Sequence, residues 1–600
     1  MVVVINLHKR FDLGPLRYLL SSHCSNYLPW VPIDTSHQGV VAWQAGVLAF
    51  YPCTGFPALF FHCLAGSQTA EAEQWFCEAG ALACCLPAAM HSLVFLCAQK
   101  VVSHHSTVRG ALEFIPKELY PVLFKAAFMD KRTLVLQDLV QTWPFPVLSF
   151  QKLLRKCQHC DRALLQEKPN KLCVQTVILG VVAYLNEALE DRLHSQSKRQ
   201  RLQVLDMTGL QDDGIDQGPE SMSLWSRTVT LAKACIDVSK HQSKCTKRTS
   251  KRRKGPYSSS VALPPPQPVA VEVHVDLFVN STSYGVLKDA LQNNANSMLR
   301  LKCRDFRAEE LPIASTVGLL EFLDPTGVRQ VDLRFNNLGL SGLRVILPHM
   351  AKFTNLVSLK LPYSNIDVRR LSAGMEGSLH YFATQLSRLS CLKELNLGSS
   401  RLSGKLRQLL GDLQGPLESL ELAFCYLLPN DLAYLSQSLH TPTLKKLDLS
   451  GNNLSDSLLQ PFQHLLEEAS SSLLHLDIME CRLMDIHLES LLPALCRCSQ
   501  LRYLGVFGNP LSTRGLKNLL QRTMGLLYLQ LVIYPYPVDC YSENLPWPPT
   551  SSNLLNGSVD EEKFSRVSAE LQQMLLTASR TDAVWTTNLC RHNTLDYFNL

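Results

Sequence analysis

One phrase, Leu-x-x-Leu-x-Leu-x-x-Asn/Cys-x-Leu, recurs through the second half of this chain and dictates how its backbone must be arranged. Clear copies fall at Leu417, Leu420, Leu422, Cys425 and Leu427; at Leu444, Leu447, Leu449, Asn452 and Leu454; and at Leu501, Leu504, Val506, Asn509 and Leu511. Further copies begin at Val328, Leu356, Leu392 and Leu473. The starting points lie roughly 25 to 36 residues apart, a spacing that marks stacked repeats. Leu447 and Leu449 alternate with Lys446, Asp448 and Ser450, so one strand face points inward and the other outward. Asn452 and Cys425 stand where the chain leaves the strand, and a buried side chain there must satisfy turning backbone amides or fill a narrow slot. Stretches 431–439 and 457–468 have helical character and cover the outer side. A buried leucine contributes roughly 1.5–3 kcal/mol, but a single repeat cannot hide its own leucines, so neighbours must stack.

The expected fold class is therefore α/β: a leucine-rich-repeat solenoid, with a parallel sheet on a concave face, helices outside, and an N-terminal helical domain. The outward strand positions form a column of Asp332, Lys360, Asn396, Glu421, Asp448, Asp477 and Gly505, with Arg334, Lys446 and Arg502 beside it. Concavity is what solenoids use for binding, so Asp332, Arg334, Asn396, Glu421, Asp448 and Asp477 are the candidate contact residues. Mixed charge suits a protein partner and disfavours a nucleic acid, which demands a basic stripe. As solvated positions, Asp448 and Asp477 should tolerate replacement by leucine with little change in thermal midpoint.

The net charge of +6 is concentrated in a run containing Lys244, Lys247, Arg248, Lys251, Arg252, Arg253 and Lys254, followed by Pro264, Pro265 and Pro266. That composition reads as a solvated, disordered linker, with a nuclear-import or nucleic-acid patch as the alternative. Twenty cysteines are scattered rather than clustered, and Cys425 and Cys481 occupy the Asn/Cys slot. Reduced, buried thiols fit that slot and point to a reducing, cytoplasmic setting with a nuclear fraction allowed. Cys157 and Cys160 resemble half a zinc site without a second pair at suitable spacing. No phosphate loop, nucleophile elbow or His-Glu-x-x-His pair is present. His104 and His105 are expected to be exposed, with no carboxylate partner at metal spacing. The expectation is a protein that is not an enzyme and takes neither cofactor nor small-molecule substrate.

Residues 1–89 differ from the remainder: charges are sparse, and Trp30, Trp43 and Trp75 fall without periodicity. The apolar stretch 39–66 is interrupted by Pro52 and Pro57, which disfavours a membrane anchor. Met90 opens a segment that makes sense as a protein start, so 1–89 reads as a gene-model or alternative-start extension. Beyond it, Ser92-Leu93-Val-Phe-Leu-Cys97-Ala-Gln-Lys-Val101 matches an elongin-box pattern. On a helix, Leu93, Cys97 and Val101 form one apolar stripe able to enter a groove. Ile115-Pro116-Lys-Glu-Leu119-Tyr-Pro-Val-Leu123 matches a cullin-box pattern, with Pro116 in a first helical turn and Leu119 and Leu123 on one face. Packing of both stripes into a helical domain is the competing reading. Helices are expected at 119–129, 133–140 and 148–160, with a break at Trp143-Pro-Phe-Pro146. Degenerate strands are expected around Leu202, Leu205 and Met207, at Val271–Val279, and at Leu299, Leu301 and Phe306. A helix over about 560–579 should present Val567, Leu571, Leu575 and Leu576 on one face and cap the array.

The segments HSLVFLCAQ, AFMDKRTLVLQDLVQTWPFPVLSFQ, VLDMTGL, VDLRFNNLGL, LESLELAFC, LKKLDLSGN, PVDCY and DEEKF closely resemble the PRAME family. The resemblance covers nearly everything except 1–89 and the basic run. It implies two roles: substrate receptor of an elongin–cullin ubiquitin ligase, or negative regulator of Toll-like-receptor signalling to NF-κB through the IκB kinase catalytic subunit. The first would assign Leu93, Cys97 and Val101 to elongin B/C, and Pro116 and Leu119 to a cullin. The expected organisation is an extension (1–89), a helical domain (90–193), a degenerate first repeat with the basic linker (194–270), repeats (271–535) and a capping segment (536–600).

Overall fold

The structure, a computed structural model, describes residues 46–49, 60–63, 93–154, 170–191, 202–210, 222–252, 270–369, 376–542, 545–546 and 548–589. Two compact units arise: residues 1–145 with 150–184, and residues 146–149 with 185–600. The Cys157/Cys160 pair lies outside the described residues, as does most of the segment 1–89.

In the larger unit, thirteen strands make one parallel sheet whose spatial order follows the chain. They are β1 (Val147–Ser149), β2 (Val204–Asp206), β3 (Val271–Val279), β4 (Leu299–Ala308), β5 (Gln330–Asp332), β6 (Ser358–Lys360) and β7 (Glu394–Asn396). Then follow β8 (Ser419–Glu421), β9 (Lys446–Asp448), β10 (His475–Asp477), β11 (Tyr503–Gly505), β12 (Leu531–Ile533) and β13 (Val584–Thr586). The central residue of each short strand meets its counterpart on the next: Val331, Leu359, Leu395, Leu420, Leu447, Leu476, Leu504 and Val532 stand in register. All eight have no measurable exposure. Each therefore fills the space between its neighbours, and this rung is the hydrophobic spine that a lone repeat cannot build.

The Asn/Cys slot works as the repeat demands. Asn452 donates through Nδ2 to the carbonyls of Leu422 (2.9 Å) and Leu449 (2.8 Å), while its Oδ1 accepts from the Leu427 amide (3.2 Å). Asn509 donates to Ile478 and Val506 and accepts from the Cys481 and Leu483 amides, both at 3.0 Å. Cys425 and Cys481 are buried thiols that donate to the Leu397 and Leu449 carbonyls.

Three expectations are corrected. The stretch 148–160 does not begin as a helix: Val147–Ser149 is the first strand of the sheet, because Leu148 pairs with Leu205 as a rung, and helix follows only at Phe150–Leu154. The basic segment is not a linker up to residue 252, because Leu224–Arg252 is one continuous helix. Its Leu231, Cys235, Val238 and Cys245 are buried, and it packs on β3 and β4; this apolar stripe outweighs the lysines between them. The array also does not end at a capping helix. Glu561–Thr577 is capped by Asp560, which accepts from the Glu562 and Lys563 amides, and it buries Val567, Leu571 and Leu575. Leu576 is 58% exposed instead of sharing that face. The chain then adds β13 beside β12, and buried Arg580 donates to the carbonyls of Met524, Leu526 and Leu529.

In the smaller unit, Gly46–Ala49 pairs antiparallel with Phe60–Cys63. Helices Leu93–Val102, His105–Ala111, Tyr120–Met129 and Thr133–Gln141 follow. Tyr120, Phe124, Phe128, Trp143 and Phe150 form a core of rings with centroids 5.7–6.1 Å apart. Phe124 and Phe128 stack and the other four pairs meet edge to face, arrangements that add stability beyond their buried area. Among the described residues, Lys171–Glu190 is long and apolar enough to cross a bilayer, although Cys173, Val174, Val177, Ile178 and Val181 on it are buried in the protein.

Candidate protein-binding surfaces

Strand register assembles the outward column. Asp332, Lys360, Asn396, Glu421, Asp448, Asp477 and Gly505 pair consecutively across β5 to β11. The members are not equivalent. Asp332 is buried and held by Arg334, whose Nε lies 2.8 Å from its Oδ2. Asp477 is buried as well: it accepts from the Tyr503 hydroxyl at 3.2 Å and pairs with His475 Nε2 at 3.1 Å, while the His475 ring stacks on Tyr503 with centroids 3.9 Å apart. Asp477 thus ties β10 to β11, whereas Asp332 is held at its own strand end, and the expectation that Asp477→Leu would be silent is corrected. A leucine there would leave the Tyr503 hydroxyl without that acceptor.

The half-buried members form an ion network. Glu421 accepts from Asn396 Nδ2 at 2.7 Å and from Lys446 Nζ at 2.9 Å. Burial opposes its ionisation, yet Lys446 and Lys360 hold its carboxyl below the usual range. Lys360 lies 3.1 Å from Glu394; burial works against its charge, but Glu394 and Glu421 keep it above the ordinary lysine value. Asp448 accepts from the Ser450 amide at 2.9 Å. Burial, Asp477 and Glu421 together push its carboxyl up to about 7. Just before β8, Glu418 bridges Lys393 and Lys445, each at 2.7 Å. At the C-terminal end this face turns apolar, with Tyr503, Leu531 and Ile533 buried and Met479, Phe507 and Val584 packed against them.

The rim where the strands end carries residues that the repeat phrase did not single out. Phe335, Tyr363, Phe424 and Tyr426 are exposed, Tyr363 by 52% and Tyr426 by 59%. All four have positive φ, between 53° and 58°. This left-handed region is uncommon for bulky residues. Phe335 and Tyr363 stack with centroids 4.7 Å apart, and the Arg369 guanidinium lies 5.6 Å from the Tyr426 ring centre. At the corresponding position of the next repeat Gly451 has φ +70°, and a Cβ there would lie 2.1 Å from the Phe424 ring. The signal was present in the sequence: Phe335, Tyr363 and Phe424 fill the slot that Gly451 and Gly508 occupy in other copies.

In the smaller unit, Leu93 is 61% and Leu96 49% exposed, while Cys97 and Val101 are half-buried. The opposite face of that helix, Phe95, Ala98 and Val102, enters the core. Of the elongin-type stripe, Leu93 thus points outward while Cys97 and Val101 are partly covered. Pro116 and Leu119 are half-buried, but the helical reading of this motif is corrected. Pro116 precedes a short 3-10 turn, Lys117–Leu119, the α-helix starts at Tyr120, and Leu123 is buried in the core instead of sharing a free face. His105 also departs from the expected exposure: it is half-buried and pairs with Asp138 Oδ2 at 2.7 Å.

Sequence models of the PRAME N-terminal domain and PRAME C-terminal domain match residues 90–214 and 271–599. Leucine-rich repeat-containing protein 14 from Xenopus laevis is 64% identical over 512 residues, covering 85% of this chain and 100% of that protein. The Homo sapiens protein of the same name is 51% identical over 513 residues, again with 85% and 100% coverage. Among solved structures, the Rad7–Elc1 complex from yeast aligns with 42% of this chain and 63% of its own at 19% identity and a TM-score of 0.30. A Bacteroides fragilis protein aligns over 48% and 74% at 15% identity and a TM-score of 0.28.

Proposed function

Because the chain belongs to the PRAME family of leucine-rich-repeat proteins, we propose that it is a non-enzymatic, cytoplasmic protein that captures another polypeptide across its concave face and aromatic rim. The exposed rings of Phe335, Tyr363, Phe424 and Tyr426 beside the Lys360–Glu421–Lys446 network are the observation that carries this reading. Interfaces draw their energy from a few aromatic and arginine anchors, and charged neighbours set orientation and partner choice. In its specific form, the resemblance makes the captured partner the IκB kinase catalytic subunit and the outcome a block on kinase-complex assembly, dampening Toll-like-receptor signalling to NF-κB. The test is copurification of that subunit with the full chain and with a Tyr363→Ala/Tyr426→Ala variant. We expect at least tenfold less kinase with the variant at unchanged thermal midpoint; equal recovery overturns the assignment of the rim.

A second role rests on a separate surface. Leu93 and Leu96 project from their helix while Phe95, Ala98 and Val102 anchor it, as a helix offered to an elongin groove would require. Under this reading the repeats present their captured protein to an elongin–cullin ligase, with Leu93, Cys97 and Val101 meeting elongin and Pro116 and Leu119 meeting the cullin. Leu93→Ser/Leu96→Ser should abolish elongin recovery without unfolding the unit, and wild-type recovery would remove the ligase role.

A further inference from the structure

The helix Leu224–Arg252 carries eight basic residues and one acid, Asp237, a surplus exceeding the net charge of +6 of the whole chain. No acidic residue occurs from Val238 through Val271. Helical geometry sorts this charge. At 3.6 residues per turn, Lys233, Lys240, Lys244 and Lys247 fall within an arc of about 60°, and all four are exposed. Leu231, Cys235, Val238 and Cys245 occupy the opposite side and are buried, held against β3 and β4. The helix thus shows solvent a narrow line of lysines about 21 Å long from Lys233 to Lys247, at 1.5 Å rise per residue. In sequence, Arg248, Lys251 and Arg252 extend the same helix.

We propose that this lysine line binds the phosphate backbone of nucleic acid without reading its sequence. Asp237, exposed and about 20° from Lys244 around the helix, borders this row, but four lysines to one acid leave it positive where the concave face is mixed, and the stripe demanded there is present on this helix. Three features select the ligand. A narrow row of cations matches a linear polyanion, since duplex DNA presents one negative charge per 1.7 Å of axis and binding is driven by release of its counterions. The apolar side of the helix is occupied by the sheet, and the exposed Trp225 stands about two turns before Lys233, so the lysine row itself holds no aromatic anchor of the kind that supplies energy to a protein interface. For the same reason no apolar face remains to enter the acyl boundary of a membrane. With its far side fixed to the sheet the helix cannot lie deep in a major groove, which leaves phosphates as its contacts and specifies no bases.

The experiment is fluorescence anisotropy of labelled 20-nucleotide single-stranded RNA, single-stranded DNA and duplex DNA of arbitrary sequence, titrated with the full chain at several salt concentrations. Four neutralised phosphates predict that single-strand affinity falls about 50-fold, and duplex affinity about 150-fold, between 50 and 200 mM salt. Lys233→Gln/Lys240→Gln/Lys244→Gln should lower the slope of log affinity against log salt by about 2 to 3. Its thermal midpoint should be unchanged, because all three side chains are exposed. Tyr363→Ala/Tyr426→Ala should leave the slope alone, which separates this surface from the protein-capturing rim. Three results overturn the proposal: no salt-dependent binding at 50 mM salt, a slope unaffected by the triple substitution, or lysine-dependent binding seen only with anionic phosphatidylserine vesicles.

Discussion

Asp448 offers the sharpest test of how the concave face is balanced. Its carboxyl sits between Glu421 on β8 and Asp477 on β10, in strand register with both. Burial, Asp477 and Glu421 raise it from 3.8 to about 7. Between those two values the folded protein holds a proton that the unfolded chain releases. Stability from this site is therefore complete below about pH 4 and is lost as pH rises towards 7. The full shift corresponds to roughly 4 kcal/mol at 1.36 kcal/mol per unit, and partial access of water to this half-buried position reduces it to about 1–2 kcal/mol. Asp448→Asn keeps the shape and the oxygen that accepts from the Ser450 amide while deleting the charge. Urea unfolding followed by circular dichroism should show the variant more stable than wild type at pH 8 by about 1–2 kcal/mol, with the advantage shrinking as pH is lowered towards 4. An advantage independent of pH, or a variant less stable than wild type at pH 8, would refute the reasoning.

Two further outcomes follow from local geometry. Gly451→Ala places a Cβ 2.1 Å from the Phe424 ring at a φ of +70°, and should lower stability by about 1–3 kcal/mol. In a Phe424→Ala background only the backbone part of that loss should remain, and a calorimetric double-mutant cycle decides the point. Burial pushes the thiols of Cys425 and Cys498 up to about 12 and that of Cys481 well above the usual cysteine range, whereas Cys391 is exposed. Iodoacetamide at pH 7.5 should alkylate Cys391 and leave those three intact until urea is added; peptide mass spectrometry showing equal rates would contradict the burial.

The rung from Val331 to Val532 and the Asn452 and Asn509 ladders were readable from the repeat because leucine spacing fixes register, and register fixes everything that shares a strand. The outward column followed from the same alternation. Its energetics did not: nothing in the spacing says that Tyr503 and His475 bury Asp477, since that depends on which side chains meet from neighbouring strands. Strand β1 escaped detection because three residues joined to a helix carry no period of their own; only its pairing with β2 defines it. The basic helix was hidden by its composition, although Leu231, Cys235 and Val238 recur at helical spacing among the lysines. The rim aromatics required alignment of the copies one position past the strand, where backbone conformation rather than packing sets the constraint.

The division between interior and rim also constrains how capture can work. Charges in the concave network already have partners: Lys446 with Glu421, Lys360 with Glu394, and Arg334 with Asp332. A partner covering them would remove water from paired ions, and such burial roughly breaks even against the Coulomb energy it strengthens. Phe335, Tyr363, Phe424 and Tyr426 are different, because their rings face water and their backbones are already committed to the left-handed region. Little further entropy is lost when a stacked pair such as Phe335–Tyr363 is covered, and the area gained is apolar. Affinity should therefore come from the rim, while the network sets which partner fits and in which orientation. On this account Glu421→Gln alters association rate and salt dependence, and Tyr363→Ala acts on dissociation. Stopped-flow kinetics giving the reverse assignment would show that the ions, not the rings, hold the partner.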